Sequence, residues 1–164
     1  MSTVVTEEAP RYDAYPLDLP VLIRLFVVGV VTGLAGWALY LAISKFFIVP
    51  VFCASPETFS VCQNGGTIAW ISAHVIVLAA LVAVLARLAV YRPLLVALGV
   101  LLSLWGTHAW LGGMAWYVGL LWQGLLFGVA VALFGWVARV ASFPIALIAS
   151  VIIVIIARVV ILAA

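Results

Sequence analysis

Five long apolar runs, separated by short polar punctuation, fill most of this chain. They cover about residues 20–49, 67–91, 93–111, 115–138 and 144–164. A hydrocarbon core needs about 20 apolar residues per helix, so each run is a candidate span. Asp18 is placed to cap the first, and Pro20 sits where a first-turn proline is tolerated. Asn64-Gly65-Gly66 forms a turn ahead of the second. Pro93 opens the third, Gly112-Gly113 turns it into the fourth, and Ser142 with Pro144 opens the fifth. The second-to-third and fourth-to-fifth connections are only a few residues long, so those neighbours must run antiparallel. The pattern predicts an all-α polytopic membrane protein. A polar segment, 1–18, precedes a single five-helix domain, 19–164, with an outer loop at 50–66 between the first two spans.

Composition agrees. The 164 residues are 69% hydrophobic and 7% charged, with a mean hydropathy of +1.43. A soluble domain of this size leaves too much surface exposed to hide that apolar content. A net charge of +2, scattered along the chain, argues against nucleic-acid binding. Residues 1–18 hold Glu7, Glu8, Asp13 and Asp18 and no apolar run, which argues against a cleavable signal peptide and leaves the first span as targeting signal. No lipidation motif is visible.

Positive charge sets orientation. With the N-terminus inside, Arg11, Arg24, Arg87, Arg92 and Arg139 fall on the cytoplasmic side, and Lys45 and Arg158 toward the outside. The C-terminus is then outside. Trp70, Trp110 and Trp116 fall at the outer interface and Trp136 near the inner one, where tryptophan is enriched. The expected setting is a bacterial-type cytoplasmic membrane.

Cys53 and Cys62 are the only cysteines, and both lie in the outer loop. An even count in a short exported loop reads as a structural disulfide, stabilising by roughly 3 kcal/mol in the chain-entropy picture. Quinone-linked thiol oxidases resemble this chain in size and topology, but their CxxC pair is missing here, which leaves redox activity as the lesser alternative. Two cysteines without a histidine make a poor zinc site.

One polar residue per span lies about 5–10 Å inside the outer boundary, counted at about 1.5 Å per residue: Lys45, His74, His108, Gln123 and Arg158. Ionisable groups in hydrocarbon are costly and are where function is sought first. The plain reading is structural: Lys45 and Arg158 snorkel, Gln123 bonds a neighbouring helix, and the histidines find carbonyls. The sharper reading is a layer that binds an anionic or polar group, such as a lipid headgroup, a carboxylate or a quinone carbonyl. A further alternative has His74 and His108 ligating haem b, an outline similar to membrane cytochromes of the b type.

Gly29 and Gly33, followed by Gly36, form a GxxxG stretch in the first span, and Gly124 and Gly128 form another in the fourth. Such spacing lets backbones approach closely, either within the bundle or against a second copy or partner helix. The apolar run VIIVII at 151–156 suits a lipid- or partner-facing surface. No Walker A, GxSxG or HExxH motif occurs, and no span holds an Asp or Glu for a proton relay. The sequence therefore points to a non-catalytic subunit or accessory protein of a membrane assembly. The competing expectation is a small-ligand, quinone or haem protein using the outer polar layer.

Overall fold

The computed structural model of this chain describes residues 19–53, 62–140 and 142–163, and the described residues are helical apart from turns. Helix α1 (Leu19–Ile43) runs through a π-helical turn, Ser44–Ile48, into a final short turn, α2 (Val49–Phe52). The Val49 N–H reaches back to the Ser44 carbonyl, five residues earlier. Next come α3 (Gly65–Arg87), α4 (Pro93–Ser103), α5 (Thr107–Leu111), α6 (Trp116–Val137) and α7 (Phe143–Ala163). Four of these stretches are long and apolar enough to cross a membrane: Leu19–Phe52, Gly65–Arg87, Trp116–Val137 and Phe143–Ile161. The predicted polar segment 1–18 and the Asp18 cap lie outside the described residues.

The predicted third span, 93–111, is not one helix. Pro93–Ser103 ends in a turn at Leu104, Trp105 and Gly106, and Thr107–Leu111 follows as a separate short helix. Gly106 has φ +86°, a left-handed conformation that breaks the α-helical run and is easy only for glycine. The outer loop is also shorter than 50–66: residues 50–52 and 65–66 are helical. Cys53 and Cys62 are joined by a disulfide, with their Cα atoms 5.1 Å apart.

The most extensive packing is between α1 and α6. It depends on glycine. A Cβ built on Gly29 would meet the Phe127 carbonyl oxygen at 2.6 Å and the Gly128 Cα at 2.8 Å. One on Gly33 would meet the Gln123 carbonyl oxygen at 2.6 Å and the Gly124 Cα at 3.0 Å. The two GxxxG stretches therefore face each other inside the bundle, backbone against backbone. Farther along, Leu25 packs on Gly135 and Trp37 on Gly119, and the Trp37 indole N–H donates to the Trp116 carbonyl at 3.1 Å. Rising positions on α1 meet falling positions on α6, so the two are antiparallel. By the same test α3 is antiparallel to α1, since Gly36 lies by His74 and Val77 while Gly66 lies by Tyr40.

An apolar core fills the end of the bundle near the α3–α4 turn. Leu25, Leu85, Val96, Val100, Phe134 and Ala138 are among its buried members. Gly99 admits the Phe134 ring against α4. The other half holds the buried polar side chains His74, Thr107 and Gln123. Helix α7 is peripheral and packs chiefly on α4. Its residues Val151, Ile152, Ile155 and Ile156 are exposed, as suits a lipid-facing stretch.

Candidate functional site

The buried polar residues form a chain across three segments. His74 on α3 has its Nδ1 2.8 Å from the Trp70 carbonyl oxygen, one turn earlier. A carbonyl only accepts, so Nδ1 carries the proton and the neutral ring offers Nε2 as an acceptor. Gln123 on α6 supplies the donor: its Nε2 lies 3.1 Å from His74 Nε2. That fixes the amide orientation and turns Gln123 Oε1 the other way. Thr107, the first residue of α5, donates its hydroxyl to the Leu104 carbonyl at 2.9 Å and lies 3.5 Å from Gln123 Oε1. His74 and Gln123 are only 2% and 0% exposed. They are sealed inside the bundle.

Sequence spacing carries a signal for this arrangement. Thr67, Trp70 and His74 stand at i, i+3 and i+7, one face of a helix. Trp70, expected at the outer interface, points into the bundle rather than out of it. It is 1% exposed, because its indole stacks on the His74 ring at 4.0 Å. It also touches Trp105 edge-on at 5.3 Å and His108 at 5.5 Å. His108 Nε2 lies 3.4 Å from the Thr67 hydroxyl.

The five residues of the predicted layer thus divide. His74 and Gln123 are bonded to each other, and His108 joins them through the Trp70 ring. Arg158 on α7 reaches the broken 93–111 segment, where Nη1 donates to the Trp105 carbonyl. Lys45 stands apart. It is exposed on the π-helical turn of the first helix and has no polar partner among the described residues. The snorkelling expectation suits Lys45, at the end of a long helix. Arg158 instead bonds inward to backbone freed by the break.

Haem ligation by His74 and His108 does not fit this geometry. A macrocycle held by both needs a free nitrogen on each and the volume between the rings. His74 Nε2 is taken by Gln123, and the Trp70 indole lies against both imidazoles. Among the described residues no group of three or more His, Cys, Asp or Glu side chains could hold a metal ion.

Three polar atoms around the break are buried without a hydrogen-bond partner: Trp70 Nε1, Ser103 Oγ and His108 Nδ1. Every acid of the chain (Glu7, Glu8, Asp13, Asp18 and Glu57) lies outside the described residues. Among the described residues, then, no carboxylate stands near Trp105 and Gly106. No known protein family, no characterised protein and no solved structure matches this chain at a significant level.

Proposed function

We propose that this protein is a non-catalytic five-span component of a bacterial-type cytoplasmic membrane, acting as a subunit or accessory protein of a membrane assembly. The observation that carries the reading is the buried hydrogen-bonded run from the Trp70 carbonyl through His74 to Gln123. His74 is buried with both ring nitrogens engaged, Nδ1 by the Trp70 carbonyl and Nε2 by the Gln123 amide, which supports a structural role in fixing helix register.

Antiparallel packing supports the fifth crossing. Helices α3 and α6 are both antiparallel to α1, so the chain between them must return across the bilayer. Residues 93–111 are the segment available: helices of 11 and 5 residues around a short turn, which end to end at about 1.5 Å per residue approach the hydrocarbon thickness. Non-helical backbone at that depth is tolerated where its freed polar groups find partners, and here the Arg158 guanidinium takes the Trp105 carbonyl. Orientation draws support from two sides. Arg24, Arg87, Arg92 and Arg139 sit near one end of the bundle, the cytoplasmic preference. The disulfide sits at the other end, as an oxidising exterior favours.

Purification from native membranes in mild detergent, with native mass spectrometry, tests the assignment. The expected result is a stoichiometric complex with other membrane subunits or a second copy. It should show no Soret band that shifts on dithionite reduction. Recovery as a lone monomer, or a reducible haem spectrum, would overturn it.

A further inference from the structure

We infer that the break at Leu104–Trp105–Gly106 is an anion site that takes a phosphate oxygen of a phospholipid headgroup from the leaflet on the disulfide side. The inference goes beyond the accessory role. It needs only that the chain spans the membrane, and it concerns the purified protein without partners.

The argument is an acceptor shortage. A guanidinium has five N–H groups and no acceptor. Arg158 gives one donor atom to the Trp105 carbonyl and has no other partner among the described residues. It is half-buried and is the one charged residue of α7, where an uncompensated charge is costly. The guanidinium lies close over Gly106: a Cβ there would be in van der Waals contact, 3.6 Å from Arg158 Nη1. Three buried atoms near it have no hydrogen-bond partner: Trp70 Nε1, on a ring edge-on to Trp105 at 5.3 Å, Ser103 Oγ, in the residue just before the break, and His108 Nδ1, two residues after it. Indole N–H is a donor only, a serine hydroxyl can donate, and His108 Nδ1 donates when Nε2 accepts from Thr67.

Buried polar groups in native proteins are nearly always bonded, so several orphans in one place call for a missing partner. That partner must bring acceptors and negative charge. A phosphate monoanion or diester does both, and Arg binds it through paired N–H groups. The direction of entry follows from exposure. Trp105 is 39% exposed and Trp110 38%, so the break opens toward lipid beside two tryptophans, the residue type that sits at headgroup level. The orphan donors farther inside are reached directly or through one bridging water.

The test uses the full chain reconstituted in vesicles of equal phosphatidylglycerol and phosphatidylcholine, then released for native mass spectrometry. Wild type should retain phosphatidylglycerol preferentially. Arg158→Gln should lower that preference by about tenfold or more, the scale of a hydrogen bond to a charged group. Arg158→Lys should keep part of it. Trp70→Phe preserves the ring and the Arg158 bond while deleting one donor, and should lower it about two- to tenfold. This variant keeps the test valid if Arg158→Gln loosens α7. Arg139→Gln, at the opposite end, should leave the preference unchanged. Protection of wild type, but not of Arg158→Gln, by millimolar inorganic phosphate without phosphatidylglycerol would support the anion site and name free phosphate as its source. Equal lipid retention by wild type, Arg158→Gln and Trp70→Phe, with no phosphate protection, would overturn the inference. So would an Arg139→Gln loss as large as that of Arg158→Gln.

Discussion

Replacing Gly33 with alanine tests whether the bundle is held by direct backbone contact between α1 and α6. The new Cβ would lie 2.6 Å from the Gln123 carbonyl oxygen, 2.7 Å from the Phe127 Cβ and 3.0 Å from the Gly124 Cα. Carbon–oxygen approaches settle at about 3.3–3.6 Å, so the helices must separate by about 0.7–1.0 Å. Most of the obstacle is backbone, which cannot rotate away. A gap of that size forfeits about a quarter to a half of each dispersion contact along the seam. The expected loss is about 1–3 kcal/mol, the range for overpacked interiors. Gly36 is the internal control. It is on the same helix, one turn later, but a Cβ there meets only His74 and Val77 side-chain atoms at 3.8 Å. Gly36→Ala should be neutral, or stabilising by about 0.5–1 kcal/mol through lower unfolded-state entropy. Reversible unfolding in mixed micelles of rising SDS fraction, followed by circular dichroism, measures both. If the two variants unfold at the same SDS fraction, the seam is not close-packed and the reasoning fails.

The His74–Gln123 bond should show a coupling energy of about 0.6–1.7 kcal/mol in a double-mutant cycle built from His74→Phe, Gln123→Leu and the pair. A coupling near zero would mean the two groups act independently. Cys53→Ser with Cys62→Ser should lower stability by up to roughly 3 kcal/mol, and non-reducing mass spectrometry of the wild type should show a two-hydrogen deficit; full stability with loss of a cellular phenotype would revive the redox alternative. Reporter fusions after Arg92 and Arg139 should register cytoplasm, and a fusion at the C-terminus should register the outside. A cytoplasmic C-terminus would remove either the 93–111 crossing or the last one.

The helical membrane character was legible because apolar runs of this length have few other physical solutions. The four long helices fall within a few residues of their predicted bounds, apart from the last turn of the second. The disulfide followed from cysteine count and loop position. Helix rotation was not legible. In spans so uniformly apolar, no face is marked as inward, and so nothing in the sequence showed that Trp70 turns into the bundle. The break at Gly106 was hidden for a related reason. A single glycine within an apolar run is ordinary, and its left-handed φ is set by tertiary packing. Thr107 drew no notice beside His108, although it is Thr107 that meets Gln123. Depth alone grouped Lys45 with the rest. Depth does not give azimuth, and the structure leaves Lys45 on the outside of the bundle.

The seam between α1 and α6 also bears on how the protein is made. Gly128 emerges from the ribosome about 100 residues after its partner Gly29, which at about 5–20 residues per second is a delay of about 5–20 s. Helix α1 enters the bilayer first and waits there with a bare glycine stripe, while α3 and the interrupted segment follow it in. During that interval the stripe is a self-complementary docking face, and the partner of matching shape nearest in type is α1 of another nascent chain. Slowing translation between residues 50 and 115 should therefore raise the yield of misassembled dimers joined through Gly29 and Gly33, while the finished bundle, its stripe covered by Gly124 and Gly128, is protected from the same association.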